Sequence, residues 1–431
     1  MTDTIFALSS GRPPSGVAVV RISGPGAGTA LEALCGALPP ARVARYARLD
    51  DPATGEPLDR GLALFFPGPA SATGEDVAEL HLHGGRAVVA AVLRALGRLP
   101  GLRPAEAGEF TRRAHASGKL DLAEVEGLAD LISAETDAQR RQALALAGGA
   151  LSRRVGGWRE GLIAVLALLE AAIDFSDEGD VAEDAIHQAV RRMGALEADL
   201  ATALRDAARG ERVRDGLVVA IAGPPNAGKS TLLNRLAGRE AAIVSDIPGT
   251  TRDVLEVHLE LAGQAVTLLD TAGLRETADA VEAEGVRRAL ARAEAADVVL
   301  WLSEDAAPPP PALSGAVRVR TKIDRGMAPP VGWLGLSAAT GDGIEDLVAL
   351  LEARADALAG GSPALVTRER QRRALELAAH HLGRAAGEFG GREELRAEEV
   401  RLAVRALDQL IGRVDVEDVL DALFGTFCIG K

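Results

Sequence analysis

The sequence predicts a multidomain protein: an α+β N-terminal domain, then an all-α helical domain with an α/β domain inserted into it. Strand-like and helical segments are mixed up to about residue 118, and residues 119 to about 210 are rich in Ala, Leu, Glu and Arg and contain no proline. From Leu217, short apolar runs alternate with helices, which is typical of a parallel sheet covered on both faces. Helical sequence returns at about Ser362, so the α/β segment interrupts one helical domain.

We place the domain boundaries where these compositions change. The N-terminal domain covers residues 1–118, the helical domain covers residues 119–214 and 361–431, and the α/β domain covers residues 215–360. An insertion of this kind is tolerated when the two ends of the inserted domain lie close together.

Composition and charge exclude several classes of protein. With 26% charged residues and a net charge of −14, the 431-residue chain is expected to form globular domains. The acidic balance argues against broad, non-specific nucleic-acid binding. Two cysteines, Cys35 and Cys428, do not make a disulfide scaffold, and we take Cys35 as structural. Without an evident signal peptide or membrane span, we expect a cytoplasmic protein with no membrane partner.

Individual elements follow from local patterns. In the N-terminal domain, strands are predicted over residues 16–24, 61–66 and 77–82, with a helix over 87–99. His81 and His83 share one face of the third strand; no third ligand is evident, so we expect a structural role rather than a metal site.

In the helical domain, the spacing of apolar residues predicts an amphipathic helix that presents Met193, Leu196, Leu200 and Leu204 on one face. The α/β domain is predicted to have strands over 217–222, 266–270 and 298–302, a helix from Ser230, and a proline-rich surface loop at 308–311.

The loop after the first α/β strand carries the most specific motif. Residues 223–230, Gly-Pro-Pro-Asn-Ala-Gly-Lys-Ser, match G-x-x-x-x-G-K-[ST] between a strand and a helix, as a phosphate-binding loop requires. We expect backbone N–H groups to surround the β-phosphate, Lys229 to reach the β- and γ-phosphates, and the Ser230 hydroxyl to bind Mg²⁺. The nucleotide contacts predicted in this loop are Asn226, Ala227, Gly228, Lys229, Ser230 and Thr231.

Further motifs follow in the order of a guanine-nucleotide domain. Asp270 ends a strand and is expected to act on Mg²⁺ through water, while Thr251 in an earlier Gly-Thr-Thr segment is expected to be a second Mg²⁺ ligand. Asp324 follows another strand, and its carboxylate can accept both N–H donors of guanine, which adenine lacks. These motifs predict an α/β P-loop GTPase (Ras-like) domain. Its remaining GTP contacts are expected to be Ser245, Thr250, Thr251, Asp270, Thr271, Ala272, Gly273, Lys322, Asp324, Ser337 and Ala338.

Two positions depart from the usual pattern. The base-recognition motif normally begins with asparagine, and here Thr321 lacks the amide that ties this loop to the P-loop and the base. We expect guanine specificity to be kept through Asp324 and base affinity to be weakened.

Leu274 occupies the position of the glutamine that often orients the attacking water. Acidic residues on the next segment are candidates for that role, although each could instead be a solvated helix-face charge; they are Glu276, Asp279, Glu282 and Glu284. A monovalent cation near the phosphates could supply the missing electrostatic stabilisation.

Motifs outside the nucleotide site point to a family. They are Gly16-Val-Ala-Val-Val-Arg-Ile-Ser-Gly24, Gly108-Glu-Phe-Thr-Arg-Arg113, Gly118-Lys-Leu-Asp-Leu122, Asp246-Ile-Pro-Gly-Thr-Thr-Arg-Asp253 and Phe427-Cys-Ile-Gly-Lys431. In these motifs, and over essentially its whole length, the chain resembles the tRNA-modification GTPase family MnmE, also called TrmE.

The resemblance implies a function, cofactors and partners. Members act with the FAD-dependent protein MnmG, so FAD enters only through the partner. Together they install a carboxymethylaminomethyl-type group at carbon 5 of the wobble uridine of certain tRNAs. A 5-formyl- or methylene-tetrahydrofolate supplies the one-carbon unit, and hydrolysis of GTP depends on Mg²⁺ and K⁺. The resemblance also implies a homodimer formed through a folate-binding N-terminal domain and a heterotetramer with MnmG. The net charge of −14 indicates that the partner supplies much of the tRNA surface.

Residue roles are implied by the same resemblance. Glu282 would be the catalytic residue that orients the attacking water. The implied K⁺ ligands are Asn226, Ser245, Ile247 and Thr250, and the implied folate contacts are Arg21, Glu79, Lys119 and Lys431. Cations can pair with the glutamate carboxylates of a folate, and a carboxylate can bind the edge of its pterin.

Some alternatives stay open at this stage. Cys428 is either a small buried residue at a helix end or, as the terminal motif implies, an active or site-lining thiol. For the whole chain, the alternative is a ribosome-assembly or regulatory GTPase switch without modification chemistry. An ATPase is a third interpretation, against which Asp324 argues.

Overall fold

The computed structural model describes residues 3–175, 179–238, 256–270, 291, 293–361, 363–387, 389, 392–414, 417–427 and 429–430. The chain divides into two compact units, one of Met1–Ala129, Ser152–Gly156 and Arg405–Lys431, the other of Asp130–Leu151 and Gly157–Val404. The four-part division expected from composition is finer than this, and its boundaries stay a prediction.

The elements are numbered here in chain order. The strands are β1 (Thr4–Leu8), β2 (Ser15–Ser23), β3 (Arg45–Asp50), β4 (Pro57–Phe66), β5 (Val77–Gly84), β6 (Leu102–Pro104), β7 (Leu217–Ala222), β8 (Glu256–Leu261), β9 (Gln264–Asp270), β10 (Val298–Ser303), β11 (Val317–Arg320) and β12 (Leu334–Gly335). The helices are α1 (Ala27–Cys35), α2 (Arg86–Leu96), α3 (Glu109–Ala116), α4 (Leu122–Ser133), α5 (Asp137–Ala147), α6 (Ala150–Asp174), α7 (Gly179–Asp215), α8 (Lys229–Ala237), α9 (Ile344–Ala359), α10 (Glu369–Ala385), α11 (Glu393–Leu410) and α12 (Glu417–Thr426).

The first unit is built on a six-stranded sheet with the strand order β3-β4-β5-β2-β1-β6. Neighbouring strands are antiparallel except β1 and β6, which are parallel. Alternate residues of β2 and β5 form a core with α1 and α2; they include Val20, Ile22, Leu31, Ala78, Leu80, Leu82, Val92 and Leu96. Because successive strand residues point to opposite faces, Arg21 and Glu79 lie on the face opposite this core. The α+β prediction for this region is confirmed.

A buried ion network holds α3 to the start of β1. The Arg113 side chain is 1% exposed, and its guanidinium donates to the carboxylates of Asp3 at 3.0 Å, Glu75 at 3.1 Å and Glu109 at 3.0 Å. Arg103 donates to Asp3 and Glu109 in turn. Burial opposes ionisation of Glu109, but the hydrogen bonds from Arg103 and Arg113 outweigh it, so the pKa of Glu109 is lowered. The buried charges of Arg113 and Glu109 are therefore both paired, as buried ions require.

The second unit contains a six-stranded sheet with the order β12-β11-β10-β7-β9-β8. Only β8 runs antiparallel to its neighbour among the described strands of this sheet. Strands and helices α8 and α9 share one apolar core; it includes Val219, Ile221, Leu233, Leu268, Leu300, Leu336, Leu347 and Leu351. Since the carboxyl ends of parallel strands meet at one edge, the loops after β7, β9, β10, β11 and β12 meet there.

Long helices precede and follow this sheet, as the sequence predicts. On α7 the predicted apolar stripe is confirmed by Met193 and Leu200, which are buried. The Trp158 indole on α6 donates to Asp199 on α7 at 2.6 Å, so a hydrogen bond adds to the apolar packing between these helices. The combination of an α+β region, long helices and a P-loop α/β sheet confirms the predicted fold class.

The Arg113 network yields a prediction about stability. Arg113→Ala leaves the carboxylates of Glu75 and Glu109 without their buried counter-charge, which costs about 3–5 kcal/mol of the unfolding free energy. Hydrogen exchange of the β1 and β2 amides measures this loss, and the exposed Arg60→Ala serves as a control expected to change it by less than about 0.5 kcal/mol. If the β1 and β2 amides are equally protected from hydrogen exchange in Arg113→Ala and Arg60→Ala, the network does not stabilise the unit.

Candidate functional site

The P-loop follows β7 through a backbone that only certain residues can adopt. Gly223 has a φ of +153°, and a Cβ at this position would lie 2.2 Å from the Leu302 carbonyl oxygen of β10, so only glycine fits. Asn226 and Gly228 have φ values of +62° and +90°, in the left-handed region. These turns bring the loop back on itself immediately before α8, whose N-terminal amides can bind an anion.

The charge of Lys229 is held inside this loop. The residue is 8% exposed, and its ammonium donates to the carbonyl oxygens of Gly223 at 2.8 Å and Pro224 at 2.9 Å. Both acceptors belong to the P-loop, so these hydrogen bonds hold the Lys229 ammonium against the inner side of the loop. A phosphate oxygen that enters the loop would meet a positive charge and the N-terminus of α8 together.

Ser230 and Asp270 provide two oxygens beside the P-loop. The Ser230 hydroxyl donates to the Asp270 carboxylate at 2.9 Å, and Asp270 is 2% exposed at the end of β9. A hydroxyl and a carboxylate at hydrogen-bonding distance suit a hard divalent cation such as Mg²⁺, which prefers oxygen ligands. The structure thus brings together residues that the sequence places forty positions apart.

The predicted base-recognition loop begins where β11 ends. The Thr321 amide donates to the Ser303 carbonyl of β10 at 3.1 Å, which extends the strand pairing by one residue. The side chain of Asp324 is exposed and available to a ligand. Thr321 is 4% exposed, and its hydroxyl has no hydrogen-bond partner within the described ranges.

The loop after β12 lies at the same edge of the sheet and is held rigidly. The Ser337 amide donates to the Asp342 carbonyl at 2.8 Å, and the Gly341 amide donates to the Ser337 carbonyl at 2.8 Å. Gly343 has a φ of +72°, and a Cβ there would lie 2.0 Å from the Gly335 carbonyl oxygen. The segment that contains Ala338 is therefore fixed on both sides.

A separate polar cluster lies in the first unit. Arg21 on β2 and Glu79 on β5 are cross-strand partners, joined by an ion pair of 2.9 Å. His81 Nε2 lies 3.3 Å from the other carboxylate oxygen of Glu79, and the Arg21 guanidinium lies 5.9 Å from the ring centroid of Phe110. Lys119 is exposed after α3, and no described contact joins its side chain to Arg21 or Glu79.

The C-terminal tail is anchored in the same unit. Ile429 forms a β-bridge with Ala107, which lies just before α3, and the Ser9 hydroxyl donates to the Gly430 carbonyl at 2.8 Å. Gly430 has a φ of +102°, and a Cβ there would lie 2.1 Å from the Leu8 carbonyl oxygen. The tail is thus pinned where β1 ends.

Several predicted site residues lie outside the described part of the chain. They are Ser245, Ile247, Thr250, Thr251, Thr271, Ala272, Gly273, Leu274, Glu276, Asp279, Glu282, Glu284, Cys428 and Lys431. Their roles stay predictions.

Sequence reasoning did not foresee three features. They are the contacts of Phe110 with Arg21, of His81 with Glu79 and of Ser9 with Gly430. Phe110 lies in one of the family motifs, but the motif alone does not indicate its contact with Arg21. The strand alternation that groups His81 with Glu79 was visible in the sequence, and it could have indicated their contact.

A P-loop, a serine–aspartate pair beside it and an exposed aspartate on the loop after β11 lie at one edge of a parallel sheet. They define the class: the second unit carries a P-loop GTPase. The "GTP-binding protein TrmE N-terminus" family matches residues 4–119, and the "MnmE helical domain" family matches residues 122–428. The chain belongs to the MnmE family of tRNA modification GTPases.

Full-length relatives carry the same name. A tRNA modification GTPase MnmE of Azorhizobium caulinodans is 68% identical over 431 residues, with 100% of this chain and 99% of the relative covered. One of Methylorubrum populi is 57% identical over 435 residues, with 100% and 98% covered. The solved G domain of the T. maritima FeoB iron transporter is 25% identical, with 32% of this chain and 98% of that chain covered, at a TM-score of 0.24. Among the described residues, no helix is both long enough and apolar enough to cross a membrane.

The base-recognition loop gives a prediction about nucleotide choice. Asp324→Asn replaces two charge-assisted acceptors by one acceptor and one donor, so GDP affinity should fall about 10- to 100-fold. Xanthosine diphosphate, which has a carbonyl where guanine has its amino group, should bind better than before. Equilibrium titration of both nucleotides measures this, with the exposed Glu260→Gln on β8 as control. An unchanged preference for GDP would rule out Asp324 as the guanine acceptor.

Proposed function

We propose that this chain hydrolyses GTP to drive modification of carbon 5 of the wobble uridine, position 34, of certain tRNAs. The observation that carries the proposal is the Lys229 and Ser230–Asp270 geometry of a P-loop, found in a member of the MnmE family. The group installed is of the carboxymethylaminomethyl type.

The described residues perform the binding part of the reaction. Lys229 draws the β- and γ-phosphates into the loop, and the amides at the start of α8 donate to them. Ser230, with Asp270 behind it, would hold Mg²⁺, and Thr251 would complete its protein ligands. Mg²⁺ when bound neutralises charge on the phosphates. Glu282 orients the attacking water, the role that Leu274 cannot fill.

K⁺ supplies a further positive charge at the phosphates in this proposal. Asn226 is exposed in the P-loop, so its side-chain amide oxygen is accessible to a cation. Ser245, Ile247 and Thr250 would provide the other ligands. A cation at this place would stabilise the charge that develops in the transition state, as an arginine does in other GTPases.

The first unit binds the folate in this proposal. Arg21 and Glu79 form a charged pair on the face of the sheet that helices α1 and α2 leave uncovered, and Phe110 adds an aromatic surface beside it. Arg21 and Lys119 suit carboxylates, and Glu79 suits the amino-pyrimidine edge of a pterin. Ile429 and Gly430 are anchored in the same unit. The folate-site roles of Cys428 and Lys431 rest on the family resemblance alone. A 5-formyl- or methylene-tetrahydrofolate would supply the one-carbon unit.

The partners follow from the same family. We propose a homodimer formed through the first unit that works in the cytoplasm with the flavoprotein MnmG in a heterotetramer. MnmG contributes FAD and, because this chain has a net charge of −14, most of the tRNA surface.

Cation dependence tests the hydrolysis step. GTP turnover should be about tenfold or more faster in K⁺ than in Na⁺ at equal ionic strength, which keeps screening constant. Asn226→Ala should remove this difference, and Glu282→Ala should abolish turnover in either salt while GTP binding is kept. Equal rates in the two salts would contradict the K⁺ site, and full turnover by Glu282→Ala would assign the water to another acid.

Nucleoside analysis of tRNA tests the function as a whole. Cells that lack the chain should contain tRNA with an unmodified carbon 5 at the wobble uridine, and the wild-type chain should restore the group. Arg21→Ala should fail to restore it while its GTP turnover is normal, whereas the exposed Arg60→Ala should succeed. If the wobble uridine of the deletion strain still carries the carbon-5 group, a GTPase switch without modification chemistry is favoured instead.

A further inference from the structure

The base-recognition loop contains an ion-pair bridge that no motif predicts. Glu304, the residue directly after β10, uses both carboxylate oxygens: Oε2 lies 2.5 Å from the Lys322 ammonium, and Oε1 lies 2.6 Å from the Arg325 guanidinium. Lys322 and Arg325 lie on either side of Asp324 in the sequence. The Glu304 carboxylate therefore contacts the loop both before and after the predicted guanine acceptor. The hydrogen bonds from Lys322 and Arg325 lower the pKa of Glu304, which keeps it ionised at neutral pH.

Lys322 needs such support because its backbone is strained. It has a φ of +59°, in the left-handed region that a long side chain rarely adopts. Strained residues persist only where their surroundings hold them, and they concentrate at ligand sites. The ion pair with Glu304 is a described contact of this kind.

Glu304 lies in a turn that is held by hydrogen bonds. The hydroxyl of Ser303, which is fully buried, donates to the Asp305 carboxylate at 2.7 Å and accepts from the Ala307 amide at 2.9 Å. These bonds fix the backbone on both sides of Glu304. The strand order places β10 between β7, which leads into the P-loop, and β11, which leads into the base loop.

The bridge holds the same loop that the usual asparagine would hold. An asparagine at position 321 would tie the base loop towards the P-loop through its amide, and Thr321 offers only a buried hydroxyl without a partner in the described residues. We propose that Glu304 is a positioning residue of the guanine site, holding Lys322 and Arg325 so that Asp324 faces the base, in place of the absent asparagine. The inference rests on guanine-nucleotide binding by this chain and adds a determinant of its affinity.

The test compares the full chain with four variants. Glu304→Ala should release a fluorescent GDP analogue about tenfold faster and raise the KM for GTP about tenfold, while kcat at saturating GTP stays within about twofold. Adding Thr321→Asn to Glu304→Ala should recover most of the affinity for GDP, because the asparagine amide would hold the base-recognition loop in place of the ion pairs. Thr321→Asn alone should change the affinity of the wild-type chain less than it changes that of Glu304→Ala. Glu260→Ala, at the opposite edge of the sheet, is the control.

The outcomes separate this inference from the function beneath it. If Glu304→Ala releases GDP at the wild-type rate, the inference about Glu304 is overturned. It is also overturned if Glu304→Ala loses affinity, Thr321→Asn does not recover that affinity, and the melting temperature without nucleotide falls. Neither result affects the proposal that the chain binds guanine nucleotides. Failure of the wild-type chain to bind GDP overturns the guanine-nucleotide function and this inference with it.

Discussion

The buried ammonium of Lys229 is the interaction on which the nucleotide site depends. A charge that is almost shielded from water must be met by polar partners, and two carbonyl oxygens of the loop meet it. For both carbonyls to point inwards the loop must curl, which requires the left-handed conformations at Asn226 and Gly228 and the close passage of Gly223 under β10. The same curl leads directly into the N-terminus of α8, whose amides can bind a phosphate.

The parallel sheet then distributes the other functions along one edge. Asp270 of the serine–aspartate pair ends β9, and the phosphate loop with Ser230 after it follows β7. The predicted base-recognition loops follow β11 and β12, and Glu304 lies directly after β10. Each loop needs only to fix its own short segment, because the hydrogen-bonded strands already fix the spacing. The first unit is held differently. A network of arginines and carboxylates around Arg113 holds the strand and helix together, and the cross-strand pair of Arg21 and Glu79 lies on the face of the sheet opposite α1 and α2.

Local patterns in the sequence predicted much of this. The G-x-x-x-x-G-K-S motif, the apolar strands around it and the stripe on α7 depend on neighbouring residues, so composition and spacing were sufficient. The predicted helix over 87–99 was right in kind, but it ends at Leu96, where Gly97 caps it. The boundary differs because helix ends depend on capping and packing as well as on the following proline.

What the sequence could not show are contacts between distant positions. The bond from Ser9 to Gly430 joins residues near the two ends of the chain, and the Asp3–Arg113 pair joins residues 110 positions apart. The Lys322–Glu304 pair has no periodicity or motif behind it, since exposed lysines and glutamates are usually solvated. Strand order makes Lys322 and Glu304 neighbours, whereas the docking of α3 and of the tail creates the other two contacts. The sequence shows that Thr321 departs from the usual asparagine. It does not show that Glu304, directly after the adjacent strand β10, forms an ion pair with the same loop.

We propose that Lys229, at the carboxyl end of the parallel strands, binds the phosphates of a guanine nucleotide and that Asp324 selects guanine over adenine. Calorimetric titration of the full chain with GTP, in competition with ATP, measures both properties. We expect one GTP site per chain, no displacement by a large excess of ATP, and loss of binding in Lys229→Ala. Comparable binding of GTP and ATP, or unchanged binding by Lys229→Ala, would contradict it.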